Sequence, residues 1–199
     1  SYANASSIHL PGQKAYSDLV KAKETVAKLI NGKAENVVFT SGATEANNFI
    51  IKGVARANKD RGNKIIVSAI EHPCVMESAK ELEREGFKVV YLPVSKGGIV
   101  DPVNLKKAID KKTILVSVMT VNNEIGTIQN IVSLAKIAHE HNAYFHTDAV
   151  QAVPYLKIDV KKMGIDFLSL SAHKFYGPKG VGVAYINRDI KIQPLLTGG

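Results

Sequence analysis

The chain has 199 residues, of which 45% are hydrophobic and 22% are charged, a composition ordinary for a globular protein with one core. No apolar run approaches the roughly 20 residues that a transmembrane helix needs, which argues against a membrane-spanning protein. The formal net charge is +8, but the lysines are scattered along predicted helical faces, without a basic block interleaved with aromatic residues that would indicate nucleic-acid binding. We interpret the charge as a solvated basic surface, with attraction to an acidic partner or an anionic ligand as the alternative.

The apolar periodicity switches repeatedly between helix and strand along the chain. The first predicted helix ends before Gly32, and its apolar face consists of Leu19, Ala22, Val26, Leu29 and Ile30. Short apolar or β-branched runs then predict strands at 37–40, 64–68, 87–92, 113–119, 144–147, 166–170 and 181–186. Helices are predicted between them at 43–57, 73–85, 101–109 and 131–141.

This alternation of about seven strands with helices predicts an α/β fold. Several strands, such as 113–119, are apolar on both faces, which is typical of a parallel sheet covered by helices on both sides. We therefore predict one domain over residues 1–199, a three-layer αβα sandwich with a mostly parallel sheet. Ligands of such sheets bind beyond the carboxyl ends of the strands, so we expect the chemistry in the loops that follow strands.

The loop at 40–45 combines Gly42 with small residues and opens a predicted helix. Backbone N–H groups at a helix N-terminus can bind an anion, and the hydroxyl of Thr44 adds a donor. The segment is neither a P-loop nor a GxGxxG motif. Simple capping of the helix by Ser41 or Thr44 is the alternative.

The loop after strand 64–68 carries His72 and the single cysteine, Cys74. An imidazole at this edge can stack on a flat heterocycle, although a loop histidine needs no function. A helix N-terminus can lower a thiol pKa, but we favour Cys74 as a small buried apolar residue. One cysteine excludes an internal disulfide and fits a reducing compartment.

Two further loops place polar residues where a ligand would lie. Asn122, Asn123 and Glu124 follow strand 113–119, and support of a turn by the asparagines is the alternative to ligand binding. Asp148 follows strand 144–147, and a buried carboxylate is costly without a cationic partner. A protonated ring nitrogen would serve; a metal needs further suitable ligands, so we expect no metal site.

Lys174 stands at the end of the apolar strand 166–170. A lysine in that position loses hydration, which favours its neutral form, and a neutral amine can form a Schiff base with an aldehyde. Ser171 and His173 can donate hydrogen bonds to a phosphate nearby, whereas we expect Lys179 to be ordinary surface. A lysine, a buried carboxylate, a stacking histidine and a phosphate loop together meet the requirements of pyridoxal 5′-phosphate.

Five motifs extend this interpretation over essentially the whole chain: SGATEANN at 41–48, EHP at 71–73, NNEIGT at 122–127, DAVQ at 148–151 and SAHKFYGPKG at 171–180. With them the sequence resembles the fold-type I pyridoxal phosphate enzymes of the aminotransferase class V group. Within that group it is more similar to the NifS/IscS-type cysteine desulfurases than to the SufS branch.

The resemblance implies a role for each matching residue. Lys174 would bond covalently to the cofactor aldehyde and later move protons. Asp148 would pair with the pyridine nitrogen and Gln151 with the phenolic oxygen. His72 would stack on the ring and take part in acid–base steps, and Asn123 would contact the cofactor or the substrate carboxylate. The phosphate would be held by Ala43, Thr44, Ser171 and His173.

The resemblance also implies a reaction and its partners. L-Cysteine would be converted to L-alanine, and the sulfur would pass as an enzyme persulfide to an acceptor such as an iron–sulfur scaffold or a thiolation protein. We expect a cytoplasmic homodimer that binds neither nucleic acid nor membranes. The alternatives are a selenocysteine lyase or another class V lyase or aminotransferase, and a non-enzymatic partner-binding homologue, against which Lys174, Asp148 and His72 argue.

The family pattern extends beyond this chain on both sides. Its members begin earlier and continue into a small domain that carries the nucleophilic cysteine, and Cys74 does not match that position. We therefore expect residues 1–199 to be the large, cofactor-binding domain, without the N-terminal segment and the C-terminal small domain, and to be inactive alone.

Overall fold

The strands form a single sheet in the computed structural model, which describes residues 2–198; Ser1 and Gly199, the ends of the predicted domain, lie outside the described residues. The strands are β1 (Val37–Thr40), β2 (Lys64–Ser68), β3 (Lys88–Leu92), β4 (Thr113–Ser117), β5 (Tyr144–Asp148), β6 (Phe167–Ser171) and β7 (Gly182–Ile186). They form a seven-stranded sheet in the order β1-β7-β6-β5-β4-β2-β3. β7 runs antiparallel to its neighbours β1 and β6, and the other neighbouring pairs are parallel. The prediction of a mostly parallel sheet is confirmed.

Helices cover both faces of the sheet. They are α1 (Leu10–Leu29), α2 (Ala43–Ala57), α3 (Pro73–Arg84), α4 (Pro102–Ala108) and α5 (Ile131–Glu140), with short 3-10 helices at Ala34–Asn36 and Ala172–Phe175. Successive side chains of a strand point to opposite faces, so Ile65 and Val67 pack with α2 and α3. Ile66 between them packs in the cluster that contains residues of α1, α4 and α5. The predicted three-layer αβα sandwich is confirmed.

The first helix differs from its prediction. α1 begins at Leu10, where the Nδ1 atom of His9 accepts a hydrogen bond from the Gly12 backbone N–H at 3.1 Å. Of the predicted apolar face Ile30 is buried, whereas Leu19 and Leu29 are 38% and 47% exposed. The predicted apolar face is thus buried only in part, because α1 packs on the sheet mainly through its C-terminal end, where Ala27 and Ile30 are buried.

The topology gathers the ends of several strands at one edge of the sheet. β1, β2, β4, β5 and β6 all finish there, and the antiparallel β7 begins there. Thr40, Gly182 and Ser171 form one row across β1, β7 and β6 at this edge. Between residues 2 and 198, none of the helices is long and apolar enough to cross a membrane.

Candidate cofactor-binding site

A cavity of about 520 Å³ opens at the carboxyl edge of the sheet. The predicted site residues all line it, namely Ala43, Thr44, His72, Asn123, Asp148, Gln151, Ser171, His173 and Lys174. Cys74 and Lys179 line it as well. The structure thus brings together residues from the loops after β1, β2, β4, β5 and β6, while the role of each residue stays a prediction. Across the described part of the chain, no group of three or more His, Cys, Asp or Glu side chains could hold a metal ion.

The N-terminus of α2 forms one wall of the cavity. The helix starts at Ala43 after Gly42, and no side chain caps its first turn, so capping by Ser41 or Thr44 is wrong. Ser41 instead donates from its backbone N–H and its hydroxyl to the Glu45 carboxylate, at 2.7 and 2.6 Å. These hydrogen bonds lower the pKa of Glu45. The N–H groups of the first turn, which no side chain caps, are donors suited to an anion.

Ser171 and His173 extend this wall. The Ser171 Oγ atom is 2.9 Å from His173 Nδ1, and it lies 3.9 Å from the position that a Cβ atom on Gly42 would take. Gly182, at the start of β7, lies so close to Gly42 that an added Cβ atom would collide with the Gly42 backbone. The start of β7 therefore lies directly beside the loop, and Ser171, His173 and the start of α2 line the same cavity.

Asp148 is the buried acid of the cavity, with 5% of its surface exposed. Its Oδ1 atom accepts a hydrogen bond from the Val150 backbone N–H at 3.0 Å, and its Oδ2 atom accepts one from Asn47 Nδ2 at 2.8 Å. Among residues 2–198 it forms no ion pair. Burial raises the pKa of Asp148, and the two hydrogen bonds oppose that shift. A cationic ring nitrogen would supply the missing partner.

His72 is fixed at the start of α3. It is the N-cap residue of that helix, and its Nδ1 atom accepts the backbone N–H of Cys74 at 3.2 Å. Because Nδ1 accepts, the neutral imidazole carries its proton on Nε2. The ring is half-buried and lines the cavity.

Cys74 contacts both His72 and Asn47. Its Sγ atom is 3.0 Å from His72 Nδ1 and accepts a hydrogen bond from Asn47 Nδ2 at 3.2 Å. Burial raises the pKa of the thiol, so the alternative of a lowered pKa is wrong. Cys74 packs against the apolar cluster of α2 and α3, as expected, but it is only partly buried and also lines the cavity.

The neighbouring asparagines after β4 have different surroundings. Asn122 is 8% exposed, and its Nδ2 atom donates to the Ile70 carbonyl at 2.9 Å. Its Oδ1 atom accepts the backbone N–H groups of Glu124 and Ile125. Asn122 therefore supports the turn, which was the alternative interpretation, whereas Asn123 lines the cavity.

Lys174 is exposed, and the predicted loss of water at the end of a buried strand is wrong. β6 ends at Ser171, and Lys174 lies on the 3-10 helix that follows. Tyr176 then adopts a left-handed backbone conformation, with φ at 65°, which turns the chain. Lys179 was expected to be ordinary surface, but it lines the same cavity. A molecule that filled the cavity would itself displace water around these lysines.

Asn47 and Glu71 are buried polar residues of this region that received no predicted role. Asn47 lies on the face of α2 that carries Ile50 and Val54 into the core, so an amide at an apolar position was the available signal. Glu71 belongs to the EHP motif, but no local pattern indicates its burial, because one of its two partners, Met119, is 48 positions away.

The Glu71 carboxyl group joins the end of β2 to the segment after β4. Its Oε1 atom accepts hydrogen bonds from the Ser68 hydroxyl and from the Met119 backbone N–H, the latter at 2.7 Å. Its Oε2 atom is buried and has no hydrogen-bond partner in the described residues. Burial raises the pKa of Glu71 to about 8, so the group is protonated at neutral pH.

This raised pKa predicts a pH-dependent stability. The stability contributed by protonated Glu71 is fully present below its ordinary pKa of 4.5 and is lost as the pH rises to about 8. In the wild type, Glu71 lowers the free energy of unfolding by at most about 1.4 kcal/mol per pH unit in this window. Glutamine imitates the protonated form, so the Glu71→Gln variant should not show this decrease. Between pH 4.5 and 8, the unfolding temperature of the variant should rise relative to that of the wild type as the pH increases. Parallel curves for the two proteins would contradict the prediction.

The fold and the cavity define a class. A mostly parallel sheet that brings an accessible lysine, a buried carboxylate and an uncapped helix N-terminus to its carboxyl edge is characteristic of the α/β enzymes that depend on pyridoxal phosphate. The family described as aminotransferase class V matches residues 1–199, and the chain belongs to this family.

The relatives confirm the resemblance to NifS/IscS-type proteins. The chain is 52% identical over 198 residues to the cysteine desulfurase IscS of Dictyoglomus turgidum, covering 100% of this chain and 50% of the relative. It is 48% identical over 196 residues to the mitochondrial cysteine desulfurase of Candida albicans, covering 98% and 40%. A solved NifS-like protein matches with a TM-score of 0.96 at 42% identity, covering 100% of this chain and 55% of that one.

A second solved structure, SspA in complex with cysteine, matches with a TM-score of 0.95 at 41% identity and covers 100% of this chain and 58% of that one. The chain spans about half the length of the curated relatives it matches.

Proposed function

We propose that the chain is the cofactor-binding domain of a longer, pyridoxal phosphate-dependent cysteine desulfurase. The complete protein would convert L-cysteine to L-alanine and leave the sulfur as a persulfide on one of its own cysteines. The observation that carries the proposal is the convergence of Lys174 and Asp148 on one cavity, in a chain 52% identical to a relative named cysteine desulfurase. The selenocysteine lyase alternative has no comparable support.

The cavity fits pyridoxal 5′-phosphate on three structural grounds. Within residues 2–198, Asp148 is buried without a counter-ion, the first turn of α2 lacks a side-chain cap, and Lys174 lines the same cavity. When bound, the pyridine ring draws electrons from the α-carbon of a substrate. Asp148 would keep the ring nitrogen protonated, because its charge is otherwise unpaired.

The remaining residues would bind and orient. Lys174 would bond to the aldehyde carbon and carry protons to and from the substrate, and His72 would stack on the ring. Gln151 would bond to the phenolic oxygen, and Asn123 would contact the cofactor or the substrate carboxylate. The phosphate would lie against the start of α2, held by Ala43, Thr44, Ser171 and His173.

The sulfur-accepting cysteine is proposed to lie outside this chain. Burial raises the pKa of Cys74, and its sulfur is engaged by Asn47 and His72, so this thiol is a poor nucleophile. Residues 1–199 would then bind the cofactor but not transfer sulfur. We further propose a homodimer in the cytoplasm that passes sulfur to an iron–sulfur scaffold or a thiolation protein.

The test is turnover of L-cysteine by the purified complete protein. We expect L-alanine and a protein persulfide, and we expect Cys74→Ala to accumulate persulfide to at least half the wild-type level, because the raised pKa keeps this thiol protonated. Alanine formation would be followed by chromatography, and the modified cysteine would be located by mass spectrometry. Formation of alanine from selenocysteine alone would favour the lyase alternative. Persulfide on Cys74 would contradict the assignment of this residue.

A further inference from the structure

Asn47 is a buried amide without an assigned role. It is 0% exposed, and it lies on the face of α2 that places Ile50, Ile51 and Val54 in the apolar core. A buried amide needs hydrogen-bond partners that apolar surroundings do not provide. An apolar side chain would suit this position better, so Asn47 contributes something other than packing.

The amide nitrogen of Asn47 has two acceptors, whereas its oxygen has none. Nδ2 donates to Asp148 Oδ2 at 2.8 Å and to Cys74 Sγ at 3.2 Å. Oδ1 is buried and has no hydrogen-bond partner within residues 2–198. The reverse orientation of the amide would set its oxygen against a carboxylate oxygen, and two acceptors repel each other. The orientation of the amide therefore follows from Asp148 and Cys74.

The same hydrogen bond constrains Asp148. Asn47 donates to one carboxylate oxygen and the Val150 backbone N–H donates to the other, so rotation of the carboxylate would break both hydrogen bonds. Burial raises the pKa of Asp148, and the hydrogen bonds from Val150 and Asn47 lower it. Asn47 thus favours the charged form of the buried acid and leaves its other lone pairs available to a group in the cavity.

We propose that Asn47 is a positioning residue for Asp148, which it holds charged and in a fixed orientation toward a cationic ring nitrogen in the cavity. Asn47 acts through Asp148. The orientation that this requires leaves the Asn47 side-chain oxygen buried without a hydrogen-bond partner in the described residues. The inference rests on the proposed function, because the ring nitrogen would belong to pyridoxal 5′-phosphate.

The first test is the affinity of the cofactor-free complete protein for added pyridoxal 5′-phosphate. Asn47→Leu removes the donor and the unpaired oxygen at nearly constant side-chain size. We expect roughly ten- to a hundredfold weaker binding, the effect of losing a hydrogen bond to a charged group. Thermal unfolding of the cofactor-free variant checks the fold: the substitution removes the unpaired Asn47 oxygen but also the donor to Asp148, so we expect little net change in the unfolding temperature. Asn48→Leu is the matched control, since the Asn48 side chain bonds to the Thr44 carbonyl of its own helix, and it should bind the cofactor like the wild type.

The second test repeats Asn47→Leu in the Asp148→Asn background. Because Asn47 acts through the charge of Asp148, the second loss of affinity should be much smaller than the first. Equal losses in both backgrounds, or unchanged affinity of Asn47→Leu, would overturn the inference while leaving the proposed function intact. Asn47→Ala gives the same comparison should the leucine variant fail to fold. A wild-type protein that does not bind pyridoxal 5′-phosphate would overturn both.

Discussion

Replacing Lys174 with alanine is expected to abolish covalent attachment of pyridoxal 5′-phosphate and to remove the visible absorbance of the complete protein. In the proposed function the Lys174 amine is the nucleophile that bonds to the aldehyde, and alanine offers no substitute. Residual binding should remain, because Asp148 and the start of α2 are unchanged. Absorbance spectra, together with borohydride reduction and peptide mass mapping, would measure the loss.

The second lysine of the cavity provides the control. Lys179 lines the same space as Lys174, so it is the side chain that could react in its place. We expect Lys179→Ala to keep the cofactor covalently bound, and Lys174→Arg to lose it although the positive charge is retained. A modified peptide that contains Lys179 instead of Lys174 would reverse the assignment.

Asp148→Asn should have opposite effects on the cofactor-free protein and on catalysis. Burial raises the pKa of Asp148, so the stability that the protonated acid contributes is present at low pH and is lost as pH rises. The neutral amide avoids this loss, and the cofactor-free variant should unfold at a higher temperature than the wild type at neutral pH. Turnover of L-cysteine should fall roughly ten- to a hundredfold, since the ring nitrogen loses its charged partner.

Both measurements are needed because a damaged fold would also lower turnover. Calorimetry of the cofactor-free proteins separates the effects: a less stable variant would contradict the description of Asp148 as an unpaired buried charge. Wild-type turnover in Asp148→Asn would contradict its pairing with the ring nitrogen.

The fold could be predicted because its pattern is local. Strands 37–40 and 64–68 and helix 43–57 have the bounds that were predicted, since runs of apolar residues between turn signals define them. The sequence did not indicate which part of α1 is buried, because periodicity identifies the apolar side of a helix but not which of its turns reaches the sheet. The loss of hydration predicted for Lys174 was wrong because β6 ends at Ser171 and Lys174 lies on the 3-10 helix that follows, an arrangement that no apolar pattern records.

The composition of the site was predictable to the extent that it follows from topology and motifs. Loops after parallel strands meet at one edge, and this rule gathered Asp148, His72 and Lys174. The contacts behind them are long-range: Asn47 and Asp148 are 101 positions apart, and Glu71 and Met119 are 48 apart. Such pairs are fixed by three-dimensional packing, so the pairing of Asn47 with Asp148 and of Glu71 with Met119 could be assigned only from the structure.

The position of β7 has a consequence for biosynthesis. β7 is the last of the described strands along the chain, yet in the sheet it lies between β1 and β6. A ribosome delivers β1 and the start of α2 early, but these segments lack their neighbouring strand until Gly182–Ile186 has emerged. The loop at 40–45 and the turn that carries Lys174 therefore come together only after Ile186 has been synthesised. A nascent chain that ends before that point lacks the strand that completes the wall of the cavity.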